Sequence, residues 1–387
     1  MPGSHSLLSP SSSHRWLHCT AAPRLEAEEP KKDTDYTLEG TLAHAYCAKE
    51  LKAMIGLPFD EEDKVIEQLR DKYLTDEMLG HVSTYVSIVG EKFSKAKIKV
   101  KDSQLIVERR LGFSHWIPDP NGSFGTGDAI IITDGTLEII DFKYGKGVEV
   151  SSRWNSQMMI YALGAIDEFA DEYNIQRVRM TIIQPRLENL SEFEIPASAL
   201  VWWAESVLSP KAKEALSANG RQECGDWCRF CAVRCRCVKL ADDCLSIASE
   251  FSGKESISDE EMAKKVLPNL PMVKQWASAM EEYATEKAVS GTHYDGYKLV
   301  EGRSLRKVVD PQALGRKLRG AGLTDIYKPL ELKSITDLEK VVGKKEFAEL
   351  AGDTVVKPQG RPTLVPDSDK RPAITAGQDF DAFAETA

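Results

Sequence analysis

The sequence predicts an α/β protein in which a mixed central sheet is flanked by helices and followed by a mostly helical C-terminal extension. Three observations predict this: helical apolar spacing early in the chain, a block of short β-rich runs, and a helix leading to one more strand, the crossover that a mixed sheet needs. Residues 1–37 are a polar lead-in with an apolar cluster around Trp16 and Cys19. From Leu38 the spacing turns helical, with Thr41 as the expected cap and His44, Cys47, Ala48 and Leu51 on one face. Residues 60–96 read as further helix. Strands follow in QLIVERRL (104–111), GDAIIIT (127–133) and TLEIIDFKY (136–144), then a helix in RWNSQMMIYALGAIDEFADEY and a strand in RVRMTIIQP (177–185). No segment repeats at a fixed period.

The chain has 387 residues, a formal charge of -10 from 50 basic and 60 acidic side chains, 42% hydrophobic residues and eight cysteines. That is enough to bury a core and is the composition of an ordinary globular protein, neither disordered nor fibrous. The start lacks the basic and apolar runs of a signal peptide, and no apolar run is long enough to span a bilayer, so the expectation is a cytoplasmic protein with no membrane partner. In a reducing compartment, cysteines packed into a short stretch read as metal ligands. The acidic balance argues against a protein that coats nucleic acid, but leaves room for an enzyme with local basic groups. The expected domains are 1–245, closed by the cysteine cluster; a mostly helical region, 246–357; and a Pro-rich, mobile tail, 358–387. A basic stretch over 303–319, with Arg303, Arg306, Lys307, Arg316, Lys317 and Arg319, reads either as a phosphate-binding patch or as a solvated helix face.

Asp134-Gly135 between two β-rich runs predicts a hairpin with a type I′ turn, in which both central residues need positive φ. Counting outward from that turn pairs Thr133 with Thr136 and, finally, Asp128 with Asp141. Opposed residues share a face about 5 Å apart. Lys143 points to that same face. Two carboxylates at such a separation repel, and a divalent cation between them keeps both ionised; a lysine beside them can orient and activate a water. That combination suits hydrolysis of a phosphodiester. The bland alternative is that the acids merely end strands. The glycines of GSFGTGDA precede a strand, which argues against a dinucleotide loop.

With these residues in view, the sequence resembles the RecB-type branch of the PD-(D/E)XK nucleases. The matching pieces, in order, are Gly40-Thr41-x-x-His44, the Gly-x-x-Asp strand ending in Asp128, Asp141-Phe142-Lys143, and Gln157-x-x-x-Tyr161. The resemblance implies a restriction-endonuclease-like core in which His44, Asp128 and Asp141 hold Mg²⁺ or Mn²⁺. It also implies that Lys143 activates the attacking water and that Gln157 and Tyr161, on one face of the following helix, adjoin the site. His44 alone reads as a core histidine; it reads as a ligand in the company of the other motifs. Glu108 is a further acidic group with either a site role or none. Trp202 and Trp203 read as core packing, with base stacking as the alternative.

The stretch CGDWCRFCAVRCRC places Cys228, Cys231 and Cys237 as Cys-x-x-Cys, five residues, Cys. A four-thiolate site needs one more ligand: Cys224 and Cys235 are local candidates and Cys19 a distant one, while the second close Cys-x-x-Cys of a zinc ribbon is missing. The iron-sulfur members of the RecB-type family, which this chain resembles in spacing and order, bind a [4Fe-4S] cluster through one cysteine before the nuclease core and three after it. That resemblance implies Cys19, Cys228, Cys231 and Cys237 as ligands, with Zn²⁺ as the alternative metal. Cys47 and Cys244 read as buried packing residues.

Over its whole length, including LSPSSSHRW and KPQGRPTLVPDSDKRPAI, the chain also resembles a phage and prophage family of unknown function. The expected activity is therefore a metal-dependent DNA nuclease, a single-strand-preferring exonuclease of phage replication or recombination in the bacterial host cytoplasm. Its partners would be single-stranded DNA or DNA with a free end, and other phage replication or recombination proteins. The rival readings are a non-catalytic DNA-binding or assembly protein with the same fold and the nuclease subunit of a helicase-nuclease complex. In the latter case any motor lies on another chain, because G-x-x-x-x-G-K-[ST] is absent.

Overall fold

A run of Ile, Leu and Val, interrupted by single polar positions, gives the chain its sheet and its two covered faces. The computed structural model describes residues 6–29, 34–302, 306–328, 331–356, 362–366, 369 and 371–373. The chain divides into two units, Met1–Met272 and Val273–Ala387.

In the first unit, short helices α1 (Ser13–His18) and α2 (Ala22–Glu26) precede α3 (Asp35–Met54), α4 (Asp60–Tyr73) and α5 (Asp76–Lys99). Strands β1 (Gln104–Gly112), β2 (Phe124–Thr133) and β3 (Gly135–Phe142) follow, then α6 (Ser156–Phe169), β4 (Ile175–Gln184) and β5 (Asn189–Pro196). The unit continues through α7 (Ala197–Trp203) and α8 (Ser209–Leu216) to α9 (Val238–Ser249). The sheet order is β1-β2-β3-β4-β5, and only the β3–β4 pair, joined by the α6 crossover, is parallel. The protein is thus a mixed α/β fold with helices on both sides of a five-stranded sheet.

Strand alternation assigns the faces. Ile130, Ile132, Leu137 and Ile139 pack with Met158, Met159 and Leu163 of α6 and with Trp16 of α1. Ala129, Ile131, Ile140 and Phe142 pack with Leu42, Cys47 and Leu51 of α3 and with Val82 and Tyr85 of α5. Burying this much aliphatic and aromatic surface on both faces is the main stabilisation of the unit.

Several local expectations are corrected. Helix α3 begins earlier than Leu38, because Thr34 caps it by accepting the Thr37 N–H; Thr41 lies inside the helix and its hydroxyl donates to the Thr37 carbonyl. The hairpin turn is not type I′. Gly135 has φ 84°, whereas Asp134 is not among the described non-glycine residues with positive φ. Gly135 also donates to the Asn174 carbonyl, where the β3–β4 register shifts, so the turn residue serves two strands and its geometry answers to both. Strand β5 was not expected; its alternating burial reflects an edge strand with one wet face.

The second unit contains most of the helix Leu270–Val289 and the helices Pro311–Gly320, Ile335–Val342 and Lys344–Ala351, the last three enclosing Leu314, Leu318, Leu338 and Phe347. Tyr297–Glu301 pairs antiparallel with Pro362–Pro366, so this part of the Pro-rich segment is a strand; most of the remainder of 358–387 lies outside the described residues. Among the described residues, no helix is long and apolar enough to cross a membrane.

A buried charged group interrupts the face toward α3 and α5. Glu138 of β3 is 6% exposed; it accepts from Lys92 of α5 at 2.8 Å and from the Thr181 hydroxyl at 2.7 Å. Lys92 also pairs with Glu192, and Arg179 lies 3.6 Å from the second Glu138 oxygen. We predict that Lys92→Met lowers stability by roughly 2–3 kcal/mol, because it strips a buried carboxylate of its nearest cation. Urea unfolding checks this; an unchanged midpoint would count against the assignment.

Candidate metal centre at the sheet end and a cysteine cavity

The β2–β3 ladder runs Thr133↔Thr136 to Ala129↔Ile140. One step beyond it, Asp128 Oδ2 accepts the Phe142 N–H at 2.8 Å, so a side chain continues the pairing where the backbone ladder stops. Asp128 and Asp141 are thereby held at the same end of the sheet.

Helix α6 is capped by Asn155, which accepts the Met158 N–H, and this sets Gln157 in its first turn. Gln157 Nε2 donates to Asp141 Oδ1 at 3.0 Å, and its Oε1 accepts from Lys143 Nζ at 3.0 Å. Lys143 Nζ also lies 3.0 Å from Asp141 Oδ2 as an ion pair. That pair lacks the alignment of a hydrogen bond, and Asp141 Oδ2 is a buried oxygen without one. Tyr161, 7% exposed, follows one turn later on α6, beside Gln157. A Cβ on Gly125 would sit 2.8 Å from the Tyr161 ring, so this glycine of GSFGTGDA is needed for close approach rather than for a phosphate loop.

From α3, His44 brings Nδ1 to 3.5 Å from Asp128 Oδ1, and its ring meets the edge of Phe142 with centroids 5.2 Å apart. Glu108 of β1 completes the surroundings. One ligand atom each from His44, Glu108 and Asp128 fall within 4.8 Å of one another, a grouping that could hold a metal ion. His44, Asp128, Asp141, Lys143, Gln157 and Tyr161 lie at one end of the sheet, but among the described residues the three ligand atoms within 4.8 Å of one another are those of His44, Glu108 and Asp128; Asp141, expected as the third ligand, instead meets Gln157 and Lys143. Glu108, left undecided by sequence, joins them; its signal was an acid in an otherwise apolar half of β1.

The electrostatics follow from burial and crowding. Burial opposes ionisation of Asp128, but His44 and the hydrogen bonds from His44 and Phe142 outweigh it and hold the carboxyl below its usual range. Burial, joined by the charge of Asp128, raises Asp141 against the pull of Lys143. Glu108 is raised by burial and then by Asp128. Burial disfavours the Lys143 ammonium, yet Asp141 more than compensates and its pKa rises. For His44, burial pulls down, while Asp128, then Glu108 and Asp141, push it up to about 9.

The cysteine segment forms a second constellation. Cys19, Cys228, Cys231 and Cys237 line one cavity together with Arg15, Trp227 and Leu240; neither Cys224 nor Cys235 is in that lining. The two chain segments are stitched beside it. Ala232 N–H donates to Glu26, Arg15 pairs with Glu26 and donates to the Phe230 carbonyl, and Thr20 Oγ1 accepts from Arg221 N–H at 2.8 Å. His18 stacks on Trp227 with centroids 4.1 Å apart. Among the described residues, no three His, Cys or acidic ligand atoms at this cavity lie within 4.8 Å of one another, whereas thiolates on one zinc ion stand about 3.8 Å apart. Cys47 and Cys244 are buried. Trp203 packs against the core, while Trp202 is exposed.

The basic stretch of the second unit is partly neutralised: Arg306 pairs with Glu339 and Lys317 with Asp353. Arg303 lies outside the described residues.

Comparison with known proteins matches residues 5–372 to the family model described as "Protein of unknown function (DUF2800)". Among solved structures, one titled "Crystal structure of SSO0001" is similar at 15% identity and a TM-score of 0.24, over 58% of this chain and 83% of that one. A score of that size establishes no shared fold.

The raised His44 pKa has a definite pH consequence in chelator-treated protein. Stability from the His44–Asp128 pair is fully present below about 6.5 and is lost as pH rises through about 9, where the folded-state imidazolium deprotonates. With 36% of its side chain exposed, solvent screens the pair, so the effect is modest in size. We expect the stability advantage of wild type over His44→Asn to shrink across this window; thermal unfolding as a function of pH measures it, and a constant gap would contradict the assignment.

Proposed function

We propose that this chain, which belongs to the family of proteins of unknown function DUF2800, is a divalent-metal-dependent deoxyribonuclease on a RecB-type, PD-(D/E)XK core. In the same reading it prefers single strands or free ends and serves phage replication or recombination. The observation that carries the proposal is the convergence of His44, Asp128, Asp141, Lys143 and Gln157, from separate elements, on one end of the sheet.

The donor set fits a hard divalent cation. Carboxylate oxygens and one imidazole suit Mg²⁺ or Mn²⁺, and Asp141 Oδ2 is a buried oxygen with a lone pair left unused by hydrogen bonding. His44, Asp128 and Asp141 would hold the ion, which would supply Lewis acidity toward a phosphodiester and a water. The protein's own groups do the rest. Lys143, kept protonated by Asp141, stabilises negative charge developing on the phosphate and orients the attacking water. Gln157 fixes Lys143 and Asp141 relative to each other, and Tyr161 buttresses Gln157. Cys19, Cys228, Cys231 and Cys237 would hold a [4Fe-4S] cluster whose part is to tie residue 19 to residues 228–237. What supports a metal group here is that Cys19, from before the sheet, and Cys228, Cys231 and Cys237, from after it, line a single cavity.

The test is incubation of anaerobically purified protein with end-labelled single-stranded and duplex DNA under Mg²⁺, Mn²⁺ or EDTA. We expect metal-dependent cleavage that EDTA abolishes and that Asp141→Asn or Lys143→Ala lowers by at least about 10²-fold while circular dichroism is unchanged. Undiminished cleavage by Asp141→Asn would sink the assigned site, and metal-dependent binding without cleavage would favour a DNA-binding protein instead. For the cluster, we expect brown protein that loses its iron in Cys19→Ser and keeps it in Cys224→Ser; stoichiometric zinc without iron would reverse the choice of metal.

A further inference from the structure

Trp154 lies in the loop that leads into α6, three residues before Gln157, and is 52% exposed. Its backbone takes φ 53°, in the left-handed region that a bulky aromatic residue rarely enters. The loop around it is pinned. Ser152 is fully buried; its N–H donates to Ser191 Oγ of β5 at 2.9 Å, and the two hydroxyls lie 3.0 Å apart. Asn155 donates its backbone N–H to the Ser152 carbonyl and its side-chain amide to the Ser151 carbonyl. The indole meets the Phe193 ring of β5 at a centroid distance of 5.3 Å and an angle of 58°, and among the described residues no ring lies parallel to it. The Arg153 guanidinium sits 5.1 Å from the centre of the same Phe193 ring and forms no ion pair among the described residues. A strained backbone that holds an aromatic ring in solvent, on a loop fixed from both sides, points to something the ring binds.

We propose that Trp154 is the stacking platform for an unpaired base of the substrate strand, next to the phosphodiester on which the sheet-end residues act, and that it sets the preference for single strands. The inference rests on the nuclease reading given above and names a residue through which that site selects its substrate. Trp154 and Gln157 are three residues apart, so their α-carbons stand no more than about 11 Å from each other. Gln157 in turn bonds both Asp141 and Lys143. A base on the indole is therefore close to the site, and Arg153 supplies a positive charge for the backbone that carries the base. A duplex makes this contact only by giving up pairing and stacking, whereas a single strand offers the face of any base. The selection is between unpaired and paired DNA, and it is indifferent to sequence.

Full-length protein is titrated in Ca²⁺ against a labelled oligothymidylate and a labelled duplex of equal length, with binding read by fluorescence anisotropy. Trp154→Asn removes the ring and suits the left-handed backbone, so its folding is not at stake. It should bind the single strand about tenfold more weakly and the duplex as wild type does, while Trp154→Phe stays close to wild type on both. Single strands lacking one base at successive positions locate the contact: wild type should weaken at one position to which Trp154→Asn is insensitive. Unchanged single-strand affinity in Trp154→Asn, an equal loss on both DNAs, or an unaltered response to the missing base would overturn the proposal. So would a Trp154→Asn melting temperature well below wild type with binding intact, which assigns the ring to packing. A loss confined to single strands, in a protein that cleaves neither DNA under Mg²⁺ or Mn²⁺, would uphold the platform and remove the nuclease reading. Cleavage whose strand preference survives Trp154→Asn would do the reverse, and wild type that binds neither DNA would remove both.

Discussion

The sheet end is organised around one ionised carboxylate, that of Asp128, kept charged at the edge of an apolar core. One oxygen takes the Phe142 N–H and extends the β2–β3 pairing past its last ladder rung; the other faces His44 and so ties α3 to the sheet. These contacts overcome the cost of burying the charge. Glu108, and Asp141 despite its contacts with Gln157 and Lys143, are raised first by burial and further by the charge of Asp128. One ionised acid thus adds to what burial imposes on its two neighbours.

Strand alternation then decides which helix each neighbour meets. Asp141 and Lys143 project toward α6 and find Gln157, whereas Phe142, between them, projects toward α3 and α5 and packs with Tyr85 at a ring separation of 4.8 Å. A slip of one residue in β3 would exchange the two sets and drive charges into the α3–α5 layer. The long aliphatic run from Ile130 to Ile140 is what makes that slip costly, so apolar residues remote from the chemistry hold its geometry.

Much of this was legible in the amino-acid order because it depends on period-two alternation and a short turn. The pairing of Thr133 with Thr136 and the common location of Asp128 and Asp141 required only counting. The turn type was not legible: Gly135 is shared with β4, and a local dipeptide carries no record of a strand forty residues away. The cap of α3 was misread because Thr34 and Thr41 are chemically alike, and only the backbone path distinguishes a cap from a hydroxyl bonded back along its own helix. Strand β5 escaped because NLSEFEIP alternates polar and apolar residues too sparsely to stand out. Glu108 was ambiguous for a related reason, since its left-handed backbone is imposed by the surroundings and leaves no mark in the sequence.

The stitching of residues 15–26 to residues 220–232 carries a consequence for how the chain is made. Arg15 and Glu26 leave the ribosome long before Phe230 and Ala232, their partners, have been synthesised. The separation is more than two hundred residues, which at ordinary elongation rates is on the order of ten to forty seconds. Once β5 has been made, late in that interval, the N-terminal arm has the sheet and α6 to lie against, through Trp16 and the bond between Ser13 and Ser156, but nothing to close it. The nascent chain therefore completes its sheet with an open end, and closure is among the last events in the maturation of the unit.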